Sequence, residues 1–300
     1  MKPDNLVIVR AGKNSLHPGW MEDRGNESPD FDLLVAAYDK EAMKDDTARI
    51  QYRFVPGSKV QGWNTVLREY GDLVSGYTRI ALIDDDIDAD TSTLNRCFAV
   101  GKAHDLSLWQ PSLSHASFVT YGASLQNERF LLRHVNFVEM MCPFFKVSTL
   151  LQISPLFSLG FESGIDLIWC SIVRELGGTC AIVDACAVTH TEPVGGRKQL
   201  NGFVDKDYED DIYRCLELFG MKWPSWVTEA GIDRTRNAKL DGVSLKFNSL
   251  RPLLKFYLAP RGSRLGRLKA SFTHFRHQAL RTPYYGADVL KRTNQLGMLD

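Results

Sequence analysis

Short apolar runs of strand length alternate with stretches whose apolar residues return at helical spacing, and the alternation continues to about residue 190. It predicts an α/β domain with a largely parallel sheet. The strand-length runs are LVIVRAG at 6–12, FDLLVAAY at 31–38, QYRFVP at 51–56, IALI at 80–83, LSLWQPSL at 106–113 and CAIVDACAVTH at 180–190. SFVTYGA at 117–123 and HVNFVEMMCPFF at 134–145 also read as strand-like. Between them, Val60, Trp63, Val66, Leu67 and Tyr70 share a helical face that Gly71 should stop. Asp90 and the Thr-Ser-Thr after it look like a cap for LNRCFAVGKAH. KVSTLLQISPLF at 146–157 predicts a short helix halted before Pro155. Leu167, Ile168, Ile172, Val173 and Leu176 predict another, closed by Gly177 and Gly178, and DIYRCLELFGM at 211–221 a further one.

The pattern breaks most sharply at 80–90, IALIDDDIDAD, where a run suited to a strand buried on both faces meets Asp84, Asp85 and Asp86. Neighbouring carboxylates repel and raise one another's pKa. A hard divalent cation, Mn²⁺ or Mg²⁺, would offset that, because such ions prefer oxygen ligands. The carboxyl end of a parallel strand is also where open α/β sheets bind ligands. Acidic clusters after strands are equally often solvated turns or helix caps.

Other polar residues stand at similar breaks, each with a structural reading beside the functional one. Arg10, Gly12 and Lys13 follow the first strand and suit an anionic ligand or a solvated turn. Lys59 and Asn64, at the start of a helix, could face a site or solvent. Glu139 is a carboxylate among Phe137, Val138, Met140 and Met141, costly there unless paired or exposed; it is a candidate acceptor-side group or an edge-strand salt bridge. Asp166, led by Gly164, sits in a helix's first turn, favoured there by the helix dipole or held as a general base. His190 follows a strand, and Gly195 and Gly196 behind it would let a loop fold over a ligand.

No apolar run approaches the ~20 residues needed to cross a bilayer, and MKPDNLVIVRAG lacks a signal peptide's long apolar segment and cleavage site. The six cysteines include no CxxC pair and lie mostly in apolar runs, so reduced core thiols and a cytoplasmic setting are expected. The net charge of zero hides an asymmetry. Residues 1–244 hold 25 Lys+Arg against 34 Asp+Glu, a balance of −9; residues 245–300 hold 11 against 2, a balance of +9. In that basic tail Leu265, Leu268 and Phe272 fall on one helical face with Arg264, Arg267 and Lys269 around it. Two uses fit: peripheral contact through 245–292 with an anionic membrane, or packing of the apolar face on the acidic domain, the slightly favoured one. No nucleic-acid-binding motif is present, so no nucleic-acid partner is expected.

The acidic motif at 84–86, the glycine-led acid at 166 and the post-strand histidine at 190 together resemble a GT-A glycosyltransferase. More narrowly, RAGKNSLHPGW, IDDDIDADTSTLNRCF, QPSLS, FVEMMCPFF and GIDLIWC, in that order over about residues 5–192, are similar to the family catalogued as domain of unknown function 707. The resemblance implies a Rossmann-like, nucleotide-sugar-binding mixed sheet, mostly parallel and flanked by helices, over residues 1–205, with a basic, mainly helical extension at 206–300. It implies Asp84, Asp86 and His190 as ligands of Mn²⁺ or Mg²⁺, and Asp166 as the base that deprotonates an acceptor hydroxyl. Ile165 stands where the family motif has Glu, which leaves that base assignment open. Arg10, Gly12, Lys59, Trp63, Asp84 and Asp85 fall on the nucleotide-sugar side. The implied activity is metal-dependent sugar transfer to a glycan or glycolipid, with inversion. Nucleotidyl transfer and non-catalytic nucleotide binding are the rivals.

Overall fold

A computed structural model describes residues 3–22, 27–193, 208–257 and 264–296. Among them the chain forms strands β1 (Asn5–Ala11), β2 (Phe31–Ala37) and β3 (Ile50–Phe54), then helices α1 (Lys59–Glu69) and α2 (Gly71–Ser75). Next come β4 (Arg79–Asp84), the two-residue β5 (Ile87–Asp88), α3 (Thr91–Ala103), β6 (Leu108–Leu113), β7 (Phe130–Val135) and β8 (Phe144–Lys146). They are followed by α4 (Val147–Ile153), α5 (Trp169–Glu175) and the long β9 (Cys180–His190). The remainder is α6 (Tyr208–Leu218), β10 (Thr228–Asp233), β11 (Lys239–Leu240), α7 (Gly242–Ser249), α8 (Pro252–Tyr257), α9 (Arg264–Leu280) and α10 (Val289–Leu296).

One mixed sheet holds the strands in the order β11-β10-β7-β9-β6-β8-β4-β1-β2-β3, with β5 pairing to the end of β9. Pairing is parallel for β1–β2, β1–β4, β2–β3 and β6–β9. β8 runs antiparallel between β4 and β6, and β7 antiparallel beside β9. Strand alternation sorts side chains into two cores. Leu6, Ile8, Leu34, Ile80 and Leu82 point to one face, and Val7, Val9, Leu33, Val35 and Ile83 to the other. All are buried, because helices cover both faces. Three cysteines lie in each layer: Cys170, Cys180 and Cys215 in the first, Cys97, Cys142 and Cys186 in the second. All six are free thiols, as expected.

Several elements depart from the sequence expectation. Residues 117–123 form no strand; they turn around the end of β9, where the Phe118 N–H donates to His190 O. The run at 134–145 divides between β7 and β8, and the intervening loop carries Glu139. Gly71 opens a second short helix rather than ending helical structure, and residues 144–146 complete a strand before α4 starts.

The chain beyond residue 205 does more than add helices. β10 pairs with β7, β11 with β10, and Leu216, Phe219, Trp226 and Val289 join the first core. The tail's apolar face is also turned the other way. Leu265, Leu268 and Phe272 are 64%, 54% and 66% exposed, while His274 and Gln278 face inward. Polar contacts hold that orientation: His274 Nε2 donates to Ser249 O, and Gln278 bridges Trp226 O and the Thr228 N–H. Gly195 and Gly196 lie outside the described residues, as does the Arg264 side chain.

Candidate functional site

β1 is flanked by β2 on one side and β4 on the other, so the chain reverses its direction of travel across the sheet between β1 and β4. That switch point leaves a crevice at the carboxyl ends of the two strands, where Arg10 and Asp84 are register partners. The turn at Asp85–Asp86 leads into β5, and Ile87 pairs with His190 at the far end of β9. Two strand ends distant in sequence are thereby tied together. The Thr191 N–H and hydroxyl both donate to Asp86 O, at 3.1 and 2.8 Å.

Within this crevice Lys59, from the first turn of α1, places Nζ 2.6 Å from Asp84 Oδ2. His190 Nε2 stands 3.3 Å from Asp86 Oδ2, and its Nδ1 3.0 Å from Phe118 O. A carbonyl only accepts, so Nδ1 carries a proton and Nε2 is the nitrogen turned to the carboxylate. Side-chain exposures of 20%, 21% and 15% for Lys59, Asp84 and Asp86 leave all three open to solvent or a ligand. Asp166 sits in a single 3-10 turn, Ile165–Leu167, opened by Gly164 at φ 89°. A side chain at Gly164 would meet the backbone of Ile212 in α6 as well as that left-handed φ, so glycine is required there. Glu139 is buried; its N–H donates to Gln110 Oε1, and its Oε2 has no hydrogen-bond partner among the described residues.

Burial lifts the three carboxyls toward neutrality. Asp84 rises to about 6 by burial, with Lys59 opposing and Asp86 adding to the rise. Burial likewise takes Asp166 to about 6, again against Lys59 and the backbone amides of Met140, Asp166 and Leu167. Glu139 is pushed by burial to about 7, with Ser124 opposing and Asp166 contributing. His190 would fall through burial alone, but its hydrogen bond and charge interaction with Asp86 raise it. One lysine charge thus acts on Asp84, Asp166 and Glu139 together.

Other residues assigned to the nucleotide-sugar side are engaged elsewhere. The Arg10 guanidinium donates to the carbonyls of Ala36, Val55 and Gly57 and is 4% exposed. It lies against Gly62, where any side chain would collide with it. Burial lowers it to about 10. Asp85 accepts from the Gly12 N–H at 2.8 Å and the Tyr38 hydroxyl at 3.0 Å, pinning the loop after β1. Gly12 is covered by Tyr38, and Trp63 is buried against Phe157, with no ring face left for a base. These four build the wall. Sequence reasoning missed Glu162, whose carboxylate accepts from the Val60 and Gln61 N–H groups and the Ser58 hydroxyl at the start of α1. No local signal joins residue 162 to residues 58–61.

The donor chemistry of Asp84, Asp86 and His190 suits a hard divalent cation. Yet among the described residues no group of three or more His, Cys, Asp or Glu stands close enough to hold one. In this arrangement the Lys59 ammonium supplies Asp84's counter-charge. No helix among the described residues is long and apolar enough to cross a membrane.

No family model matches the chain, and no curated protein does. Among solved structures, the crystal structure of A197 from STIV is similar over 63% of this chain and 85% of its own, at 12% identity and a TM-score of 0.36. A likeness that slight carries no argument about fold or activity.

Proposed function

We propose that the chain is a metal-dependent glycosyltransferase of GT-A type, moving a sugar from a nucleotide-sugar to a glycan or glycolipid with inversion. The observation that carries this reading is the β1/β4 switch point, where Lys59 reaches Asp84 at the end of β4 and His190 at the end of β9 reaches Asp86, with the Lys59 charge also felt at Asp166 and Glu139. In such a reaction the bond from the sugar's anomeric carbon to a phosphate oxygen breaks, and a bond to the acceptor oxygen forms. The diphosphate leaves with the electron pair, and the acceptor's proton goes to a base. Asp166 at about 6 is ionised at neutral pH and still basic enough to take that proton. For Asp84, Asp86 and His190 to hold Mn²⁺ or Mg²⁺ they would have to draw closer than they stand here, with Lys59 giving up Asp84; a bound ion would then supply positive charge against the leaving diphosphate. Lys59 adds a fixed positive charge at the same mouth. Glu139, which is buried, would serve on the acceptor side.

Calorimetric titration of UDP, GDP and CMP into the protein, with and without Mn²⁺, tests the reading. One nucleotide is expected to bind only with metal. Asp86→Ala should abolish that binding and leave the thermal transition in place. Asp166→Asn should keep nucleotide binding and lower turnover by about 10²–10⁴-fold. Metal-independent binding, or loss of folding in Asp86→Ala, would make the aspartates structural. Release of pyrophosphate from a nucleoside triphosphate would assign nucleotidyl transfer instead.

A further inference from the structure

α9 is mounted inside out. At about 100° per residue, Leu265, Leu268, Phe272 and Phe275 form one stripe, and they are 64%, 54%, 66% and 41% exposed. The opposite face, which touches the protein, is polar: His274 and Gln278 are buried there. An amphipathic helix of a globular protein normally buries its apolar stripe, so some attraction must set this orientation. It comes from specific hydrogen bonds. Gln278 accepts from the Thr228 N–H and donates to Trp226 O, both at 3.1 Å, and His277 Nδ1 accepts from the Trp226 N–H at 3.2 Å. His274 Nε2 donates to Ser249 O at 3.2 Å. These bonds use backbone groups around the start of β10 and the end of α7, so the helix cannot roll over without orphaning them.

The exposed stripe is edged by positive charge. Lys269 and Arg276 follow it along α9, and both are exposed. The adjoining α7 adds exposed Val243 and Phe247 together with Lys246. Across residues 245–300 the count is 11 Lys+Arg against 2 Asp+Glu. Leucine and phenylalanine bordered by lysine and arginine, on a helix that does not span a bilayer, is the chemistry of a surface that is apolar inside and anionic at its face. We infer that α9 is a docking helix for an anionic lipid bilayer, lying in the plane of the surface with Leu265, Leu268, Phe272 and Phe275 entering the acyl boundary and Lys269 and Arg276 meeting lipid phosphates.

The test is co-sedimentation of the whole chain with vesicles of phosphatidylcholine alone or mixed with phosphatidylserine. Binding is expected to the mixed vesicles, and to weaken as salt is added. Two double variants at exposed positions, Leu268→Ser with Phe272→Ser and Lys269→Glu with Arg276→Glu, should each lower the bound fraction about tenfold or more. Their thermal transitions should match the parent's. The assignment is overturned if the folded chain stays in the supernatant with both vesicles, or if the serine variant binds as well as the parent. It is also overturned if light scattering shows a dimer that Phe272→Ser dissolves while vesicles are ignored, since a second copy would then own the face.

Discussion

Glu139 is the most unusual carboxyl in the crevice: 3% exposed, with one oxygen lacking a hydrogen-bond partner among the described residues. Burial holds it at about 7, against 4.5 for an ordinary glutamate. The folded chain therefore keeps this proton more tightly than the unfolded chain does. The associated stability is fully present below pH ~4.5 and is lost as pH rises through about 7. Glu139→Gln removes the ionisation, so at pH 8 the variant should be more stable than the parent by on the order of 2 kcal/mol. Melting curves from pH 5 to 8 check this, and parallel slopes for the two proteins would refute it. Strand-end acids are local features and were legible as such: Lys59 meets Asp84, and His190 meets Asp86. The direction of each side chain was not. Arg10 and Asp85 occupy equally suggestive positions, but Arg10 turns across Gly62 to three carbonyls and Asp85 turns to the Gly12 amide and the Tyr38 hydroxyl. Such partners lie tens of residues away, and no spacing rule reports them.

At the scale of elements, β9 shows why a correct strand assignment still conceals its most important residue. Its register against β6 jumps between Pro111 and Ser112, so Asp184 falls within a bulge. A proline on an interior strand needs such a break, because it has no N–H to offer the ladder. The bulge aims Asp184 at Arg133 on β7, with Nε–Oδ2 2.7 Å and Nη2–Oδ1 3.0 Å, both side chains fully buried. Arg133 also donates to the carbonyls of Ala123 and Leu125, and Asp184 accepts from the Asn127 N–H. The irregular segment between β6 and β7 is anchored at Ala123, Leu125 and Asn127 by this pair. Asp184→Ala strands a buried guanidinium and should cost about 3–5 kcal/mol in urea unfolding, whereas replacing both partners with apolar residues should cost far less. An equal cost for both variants would mean that packing volume, not charge, matters here.

For the whole molecule, the resemblance implies a boundary near residue 205, and the sheet runs across it. β10 covers the edge of β7, and Phe219, Trp226 and Val289 complete a core begun by β1 and β4. Strand pairings this far apart leave no trace in local periodicity. A chain ending at residue 205 would expose the β7 edge and lose those side chains; it should give no cooperative thermal transition, and a sharp one would restore the boundary. The same two-layer build has a consequence for kinetics. Six buried thiols, three on each side of one sheet, are shielded from any reagent until their own layer opens. Pulses of a maleimide during unfolding, with the modified cysteines identified by mass, would therefore act as two clocks built into the chain. Cys170, Cys180 and Cys215 time the opening of one side, and Cys97, Cys142 and Cys186 that of the other.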